Sequence, residues 1–362
     1  MELLRDWFKR SFSDPQVVIL GVVLVAFFAV VVGLGAWLAP MFASIVIAYL
    51  LEAVVVRLQR LGMPRMLAVV IVFLLFMTIF MFLLFGLIPL VSRQLTQLVQ
   101  QLPNYIAQGQ ELLKGLPAAY PDLISVAQVE SMIGQLGQEV GNLGQQLLGW
   151  SLASVASLIG LVVYLVLVPV LVFFLLKDKE LIIGWITGRL PRERSLVNRV
   201  WSESEVQIAN YVRGKVVEII IVGAVTYVTF MVLGLQYAAL LATLVGFSVL
   251  IPYVGAAVVT VPIALIAYFQ FGWGWDFGQV MIAYAIIQAL DGNLLVPLLF
   301  SEVVNLHPVA IILAILVFGG LWGFWGIFFA IPLATFVKAV INAWPSNGAD
   351  SSEAEPEPEP PQ

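Results

Sequence analysis

Apolar residues in this chain come in long unbroken runs, not in the alternation or three-four spacing that marks a soluble core. Val17–Leu38, Met41–Val56, Met66–Val91 and Ser151–Leu176 are such runs, and Pro40 separates the first two. Runs of this kind predict helices in a bilayer, because lipid offers no partner for backbone N–H and C=O groups. A polar stretch, Ser92–Trp150, divides the third run from the fourth, and a hydrophilic segment, Lys177–Lys215, follows the fourth. From Val216 to Trp344 nearly every residue is apolar, punctuated by glycine and proline. The pattern predicts an all-α, polytopic integral membrane protein of about eight transmembrane helices. Broken or re-entrant segments are expected in its C-terminal half, and a helical extracytoplasmic insertion over 92–150.

Within that insertion Val129, Met132, Ile133, Leu136, Val140 and Leu143 recur at spacings of three and four, with glutamines on the other faces. This is the period of an amphipathic helix. Leu95, Leu98 and Leu102 mark an earlier amphipathic segment, expected to end at Pro103. Two further stretches stay open between a single kinked span and a re-entrant hairpin. One is 237–271, interrupted at Pro252 and Gly255; the other is 309–344, interrupted at Gly319, Gly320, Gly323 and Gly326. These residues, with Pro297, are the candidate hinges or helix breaks; they suit tight helix packing equally well.

Basic residues orient the chain. Ser92–Trp150 carries only Arg93 and Lys114, whereas Lys177–Lys215 carries eight lysines and arginines. The N-terminus and the Arg57–Arg65 loop carry three each. The expected order is a cytoplasmic amphipathic N-terminus (1–16), spans 1–3 (17–91), a periplasmic domain (92–150), span 4 (151–176) and a basic cytoplasmic segment (177–215). A C-terminal transmembrane core (216–344) and a disordered acidic tail (345–362) complete it.

Composition sharpens this picture by exclusion. Hydrophobic residues make up 61%, charged residues only 11%, and mean hydropathy is +1.02, values of a membrane protein. The net charge of −5 is misleading, since five of the 22 acids lie in the last thirteen residues. No basic face points to nucleic acid. No cysteine is present and His307 is the one histidine, so thiol chemistry and a multi-histidine metal site are excluded. No P-loop, H-E-x-x-H or G-x-S-x-G motif occurs, and neither an enzymatic activity nor a cofactor is expected.

Candidate chemistry rests on the few ionisable groups near apolar runs. Asp291, Gly292 and Asn293 interrupt the run Met281–Phe300. A carboxylate at bilayer depth costs about 3 kcal/mol, and no basic residue stands within one helical turn of Asp291 in the sequence. Asp-Gly is a turn dipeptide, Pro297 follows, and Gln279–Leu290 supplies only about 18 Å of helix. The triplet reads as the turn of a broken helix, either on a solute or ion path or as a purely structural interruption. Glu218 sits three residues after Lys215 and reads as half of an ion pair at the membrane surface, while remaining a path candidate. Glu52, one turn before Arg57, reads as interfacial. Glu302 and His307, in the link Ser301–Pro308, form a candidate proton relay or an ordinary loop. Asp276 reads as a loop residue.

These residues resemble a known family. Phe173–Glu180, Tyr211–Lys215, Leu250–Ala256, Gln288–Asn293 continuing through Ser301–Pro308, Gly319–Gly326 and Ile331–Ala334 are similar to segments of the AI-2E transporter family. Many members carry Asn-Pro near the end of the second span, where this chain has Glu52-Ala53. The resemblance implies a permease of the Gram-negative inner membrane, in a family linked to export of autoinducer-2 and to sodium(lithium)/proton antiport. It also allows a homo-oligomer. The expected function is therefore an inner-membrane permease or exporter of a small polar solute or monovalent cation, coupled to a proton or sodium gradient. An oligomeric channel-like pathway and a non-transport membrane scaffold are the alternatives.

Overall fold

The computed structural model describes residues 15–119, 131, 134, 154–189, 195–252, 254–300 and 306–343. Every element among them is helical. They are α1 (Pro15–Arg60), α2 (Arg65–Phe82), a π-turn (Leu83–Leu87), α3 (Ile88–Ala119), α4 (Ser154–Lys177), α5 (Lys179–Thr187) and α6 (Ser195–Val232). Then come α7 (Ala238–Ser248), α8 (Val254–Phe271), α9 (Trp275–Leu290), a second π-turn (Asp291–Leu295), α10 (Val296–Phe300) and α11 (Pro308–Ala343). Contacts divide the described residues into two compact units. The larger draws on Ala39–Ile182 and Asn210–Ser301, and the smaller on Met1–Leu38, Ile183–Ala209 and Glu302–Gln362.

Six helices among the described residues are long and apolar enough to cross a membrane; Tyr164–Lys177 and Ala238–Ser248 are shorter apolar helices. Most side chains of the expected span Val17–Leu38 lie outside the described residues, as do 120–130 and nearly all of 132–153 with the predicted amphipathic helix. Two predicted breaks are absent. Pro40 does not end a helix: α1 runs through it, and the Ser44 hydroxyl donates to the Pro40 carbonyl at 2.6 Å. Pro103 does not end a helix either, because α3 is held on both sides of it. Leu95 and Leu98 pack on the core before it, and Tyr105 stacks on Phe269 at 5.0 Å after it.

The core of the larger unit is an antiparallel hairpin, α7 against α8. At its base the Gln236 N–H donates to Gln270 Oε1 at 2.8 Å. At its tip the chain reverses so tightly that a Cβ on Gly255 would overlap the Ser248 carbonyl. With 11 residues, about 16 Å of rise, α7 is too short to cross a bilayer. The stretch 237–271 is therefore a short apolar helix folded back on a span-length helix, not one kinked helix. Leu241, Val245, Ile263, Ala267, Val280 and Tyr284 form its buried centre. Gly246 meets Gly223 of α6 closely enough that a Cβ would stand 3.3 Å from the Gly223 Cα. A separate cluster joins α1, α2 and α4 through Val55, Val69, Val72 and Val172.

In the smaller unit α11 repeats the device. Gly323 breaks the helix with φ 58° and ψ −132°, and a Cβ on Gly326 would overlap the Phe318 carbonyl. The chain thus folds back within 309–344, with a first limb of only about 22 Å.

The two π-turns share one cause. Each ends two residues before a proline, Pro89 or Pro297. Proline has no N–H and its ring crowds the carbonyl four residues back, so the local shift to i→i+5 bonding relieves both. In the second turn Val296 N–H bonds the Asp291 carbonyl, and Asn293 Nδ2 bonds the Ala289 carbonyl at 2.8 Å. The predicted broken helix at Asp291-Gly292-Asn293 is corrected accordingly: Trp275–Phe300 is one continuous candidate span with a π-bulge.

Candidate functional site

Charged side chains from distant stretches meet in the core of the larger unit. Lys215 and Glu218 stand one turn apart on α6, with Nζ 2.7 Å from Oε2 and side chains only 5% and 2% exposed. The pair expected at a surface is buried in protein. Beyond this ion pair Glu218 Oε2 has no hydrogen bond. The same ammonium donates to the Val249 carbonyl at 2.8 Å, at the tip of the α7–α8 hairpin. A helix end exposes unsatisfied carbonyls and a partial negative charge, so a cation is favoured there. The Phe300 ring lies 5.1 Å from Lys215 Nζ and 5.7 Å from the Tyr211 ring. It rests where a Cβ on Gly214 would stand, 2.7 Å from the nearest ring carbon.

Asp291 enters from the second π-turn. It is 8% exposed and interacts electrostatically with both Lys215 and Glu218. Its Oδ1, the Gln288 Nε2 one turn earlier and the Tyr211 hydroxyl are buried without hydrogen-bond partners. Buried polar atoms are almost always paired, so water or a bound species has to satisfy these atoms. When all three charges are ionised, two carboxylates face one ammonium, leaving a single negative charge in a medium where uncompensated charge is costly.

The other sequence candidates fall elsewhere. Gly292 and Asn293 are exposed, so of the triplet only Asp291 turns into this cluster. His307 is exposed and its Nδ1 accepts from Val309 N–H at 3.3 Å, at the start of α11; Glu302 lies outside the described residues. Asp276 is exposed in the first turn of α9, a helical position rather than a loop. Glu52 pairs not with Arg57 but with Arg65 at 3.3 Å and Lys179 at 3.2 Å. Arg65 also donates to the Leu176 carbonyl at 3.0 Å, which ties the ends of α1, α2 and α4 together.

Lys215, Gln288, Tyr211 and the Val249 carbonyl were not singled out as site members from the sequence. Lys215 enters the sequence reading only as the partner of Glu218, and Gln288 carries a signal as a lone amide in an apolar run, one turn before Asp291.

Residues 18–346 match the family model described as AI-2E family transporter. The chain is 49% identical over 345 residues to "Putative permease PerM" of Escherichia coli K12, covering 95% of this chain and 98% of that one. It is 28% identical over 302 residues to "Putative transport protein YueF" of Bacillus subtilis, covering 81% and 80%. Over 308 residues it is also 28% identical to "Putative transport protein YrrI" of the same organism, covering 83% and 85%. The chain is a multi-pass membrane protein that belongs to the AI-2E family of transporters.

Proposed function

We propose that this chain is an inner-membrane permease or exporter of a small polar solute or monovalent cation, driven by a proton or sodium gradient through the Lys215–Glu218–Asp291 cluster. The observation that carries the proposal is the buried Asp291 carboxylate with an unpartnered oxygen, within the electrostatic reach of the buried Lys215–Glu218 ion pair. One monovalent cation, whether a proton or a metal ion, neutralises the cluster. Because Lys215 also holds the Val249 carbonyl, a change of charge at Glu218 or Asp291 is felt at the hairpin tip. Broken and re-entrant helices near buried charge are the parts from which secondary transporters build their binding sites.

The test is flux into proteoliposomes of the purified protein, with pH and sodium gradients imposed separately. Autoinducer-2 and monovalent cations are the first solutes to offer. The proposal expects accumulation that follows one gradient and stops when an ionophore collapses it. Flux indifferent to both gradients favours a channel-like pathway; no flux with any of them contradicts the proposal.

A further inference from the structure

At the opposite end of the hairpin from Lys215, its base meets α3 around a cavity of about 330 Å³ lined by Gln94, Gln97, Gln100, Gln101, Gln236 and Tyr237. This volume is at the small end of ligand pockets, which run from about 300 to 1,000 Å³. Five of the six lining residues are glutamines. Gln94, Gln97 and Gln101 are spaced three and four apart on one face of α3, while Leu95 and Leu98 turn to the core. The lining is anchored. Gln94 Oε1 accepts from the Leu240 N–H at 2.8 Å, Gln101 Oε1 accepts from Asn104 Nδ2 at 2.8 Å, and the Gln236 backbone is held by Gln270.

The cavity also contains the one non-glycine residue with positive φ among the described residues, Tyr237 at φ 58°. A bulky side chain in the left-handed region costs about 1–3 kcal/mol, and such strain concentrates at ligand clamps. The Tyr237 phenol is uncharged at physiological pH, as an ordinary tyrosine is.

We infer that this glutamine-lined cavity is a binding site for an uncharged solute bearing several hydroxyl groups, no larger than a hexitol. A primary amide presents both donors and an acceptor. Clustered amides therefore match hydroxyls, which also donate and accept. They offer no countercharge to an ion, which would exchange its hydration for neutral dipoles alone. The inference rests on the permease reading only in calling the bound solute cargo; binding itself needs neither a gradient nor Asp291.

The experiment is ligand-observed NMR and calorimetry on the full chain in lipid nanodiscs, with no gradient. Mannitol and glucose are the uncharged probes, and choline chloride and sodium gluconate the charged ones. Saturable binding of at least one uncharged probe is expected, with none of either charged probe. Gln97→Met with Gln100→Met, both exposed on α3, should weaken that binding about tenfold or more while leaving the melting temperature unchanged. Asp291→Asn should leave binding intact, which separates failure here from failure of the gradient-coupling proposal. No saturable binding of either uncharged probe, equal binding of a charged one, or undiminished binding by the double variant overturns the inference.

Discussion

Two charge clusters in the larger unit use the same residue types and differ in everything else. Around Glu52, two cations from other elements converge on one carboxylate oxygen, and both are well exposed: Arg65 at 28% and Lys179 at 43%. With Glu180 4.0 Å from Arg65 the charges balance, both cations keep contact with solvent, and the cluster fastens helix ends together. Around Lys215, one buried ammonium pairs with Glu218 and acts electrostatically on Asp291, with a buried amide and a buried phenol that make no hydrogen bond to protein. The comparison teaches that a count of charges does not separate a brace from a working site. Burial and charge balance do: the Glu52 charges are neutralised among Arg65, Lys179 and Glu180, although Glu52 Oε2 is itself buried without a hydrogen bond, whereas the Lys215 cluster keeps one net negative charge.

The largest effect that would break this distinction comes from Lys215→Met. It leaves Glu218 buried beside Asp291 with no countercharge, and should cost about 3–5 kcal/mol in thermal or denaturant unfolding. Lys215→Met combined with Glu218→Met replaces the ion pair by apolar volume. It should recover most of that stability without recovering gradient-coupled flux. Recovery of both would reduce the pair to a structural role. Next is Gly214→Ala, whose methyl would press on the Phe300 ring. About 1–3 kcal/mol of destabilisation is expected, together with slower flux, because Phe300 covers the Lys215 ammonium. The smallest effect should be Glu52→Gln. A partly exposed pair contributes about 1 kcal/mol or less, so its melting temperature should shift slightly, less still at high salt, and its coupled flux should match wild type.

The sequence revealed the apolar runs, the family and the interruptions at Pro252–Gly255 and Gly319–Gly326, because these depend on runs and local punctuation. It also placed Lys215 and Glu218 on one helical face. It did not reveal that Asp291 lies within the electrostatic reach of Lys215, since that residue is on another helix and is brought near by packing. Asp291-Gly292-Asn293 was misread as a turn for a local reason. Asp-Gly favours turns in water, but in an apolar run the helix survives by widening for Pro297, and Asn293 bonds the Ala289 carbonyl. Pro40 and Pro103 mislead in the same way: one missing N–H inside a long helix is outweighed by the helix bonds and contacts on either side of it. The glutamines at 94, 97 and 101 were legible as a polar face of a helix, but not as a cavity wall. Gln236 and Tyr237 complete that wall from far along the chain.

The central claim is that the Asp291 carboxylate carries the coupling charge. Its most direct test is gradient-driven uptake by Asp291→Asn in proteoliposomes, measured beside wild type at equal inserted protein and with an unchanged melting profile. The amide keeps the shape and the π-turn but removes the charge. The account predicts loss of all uptake that responds to the gradient. Wild-type accumulation by Asp291→Asn would contradict it.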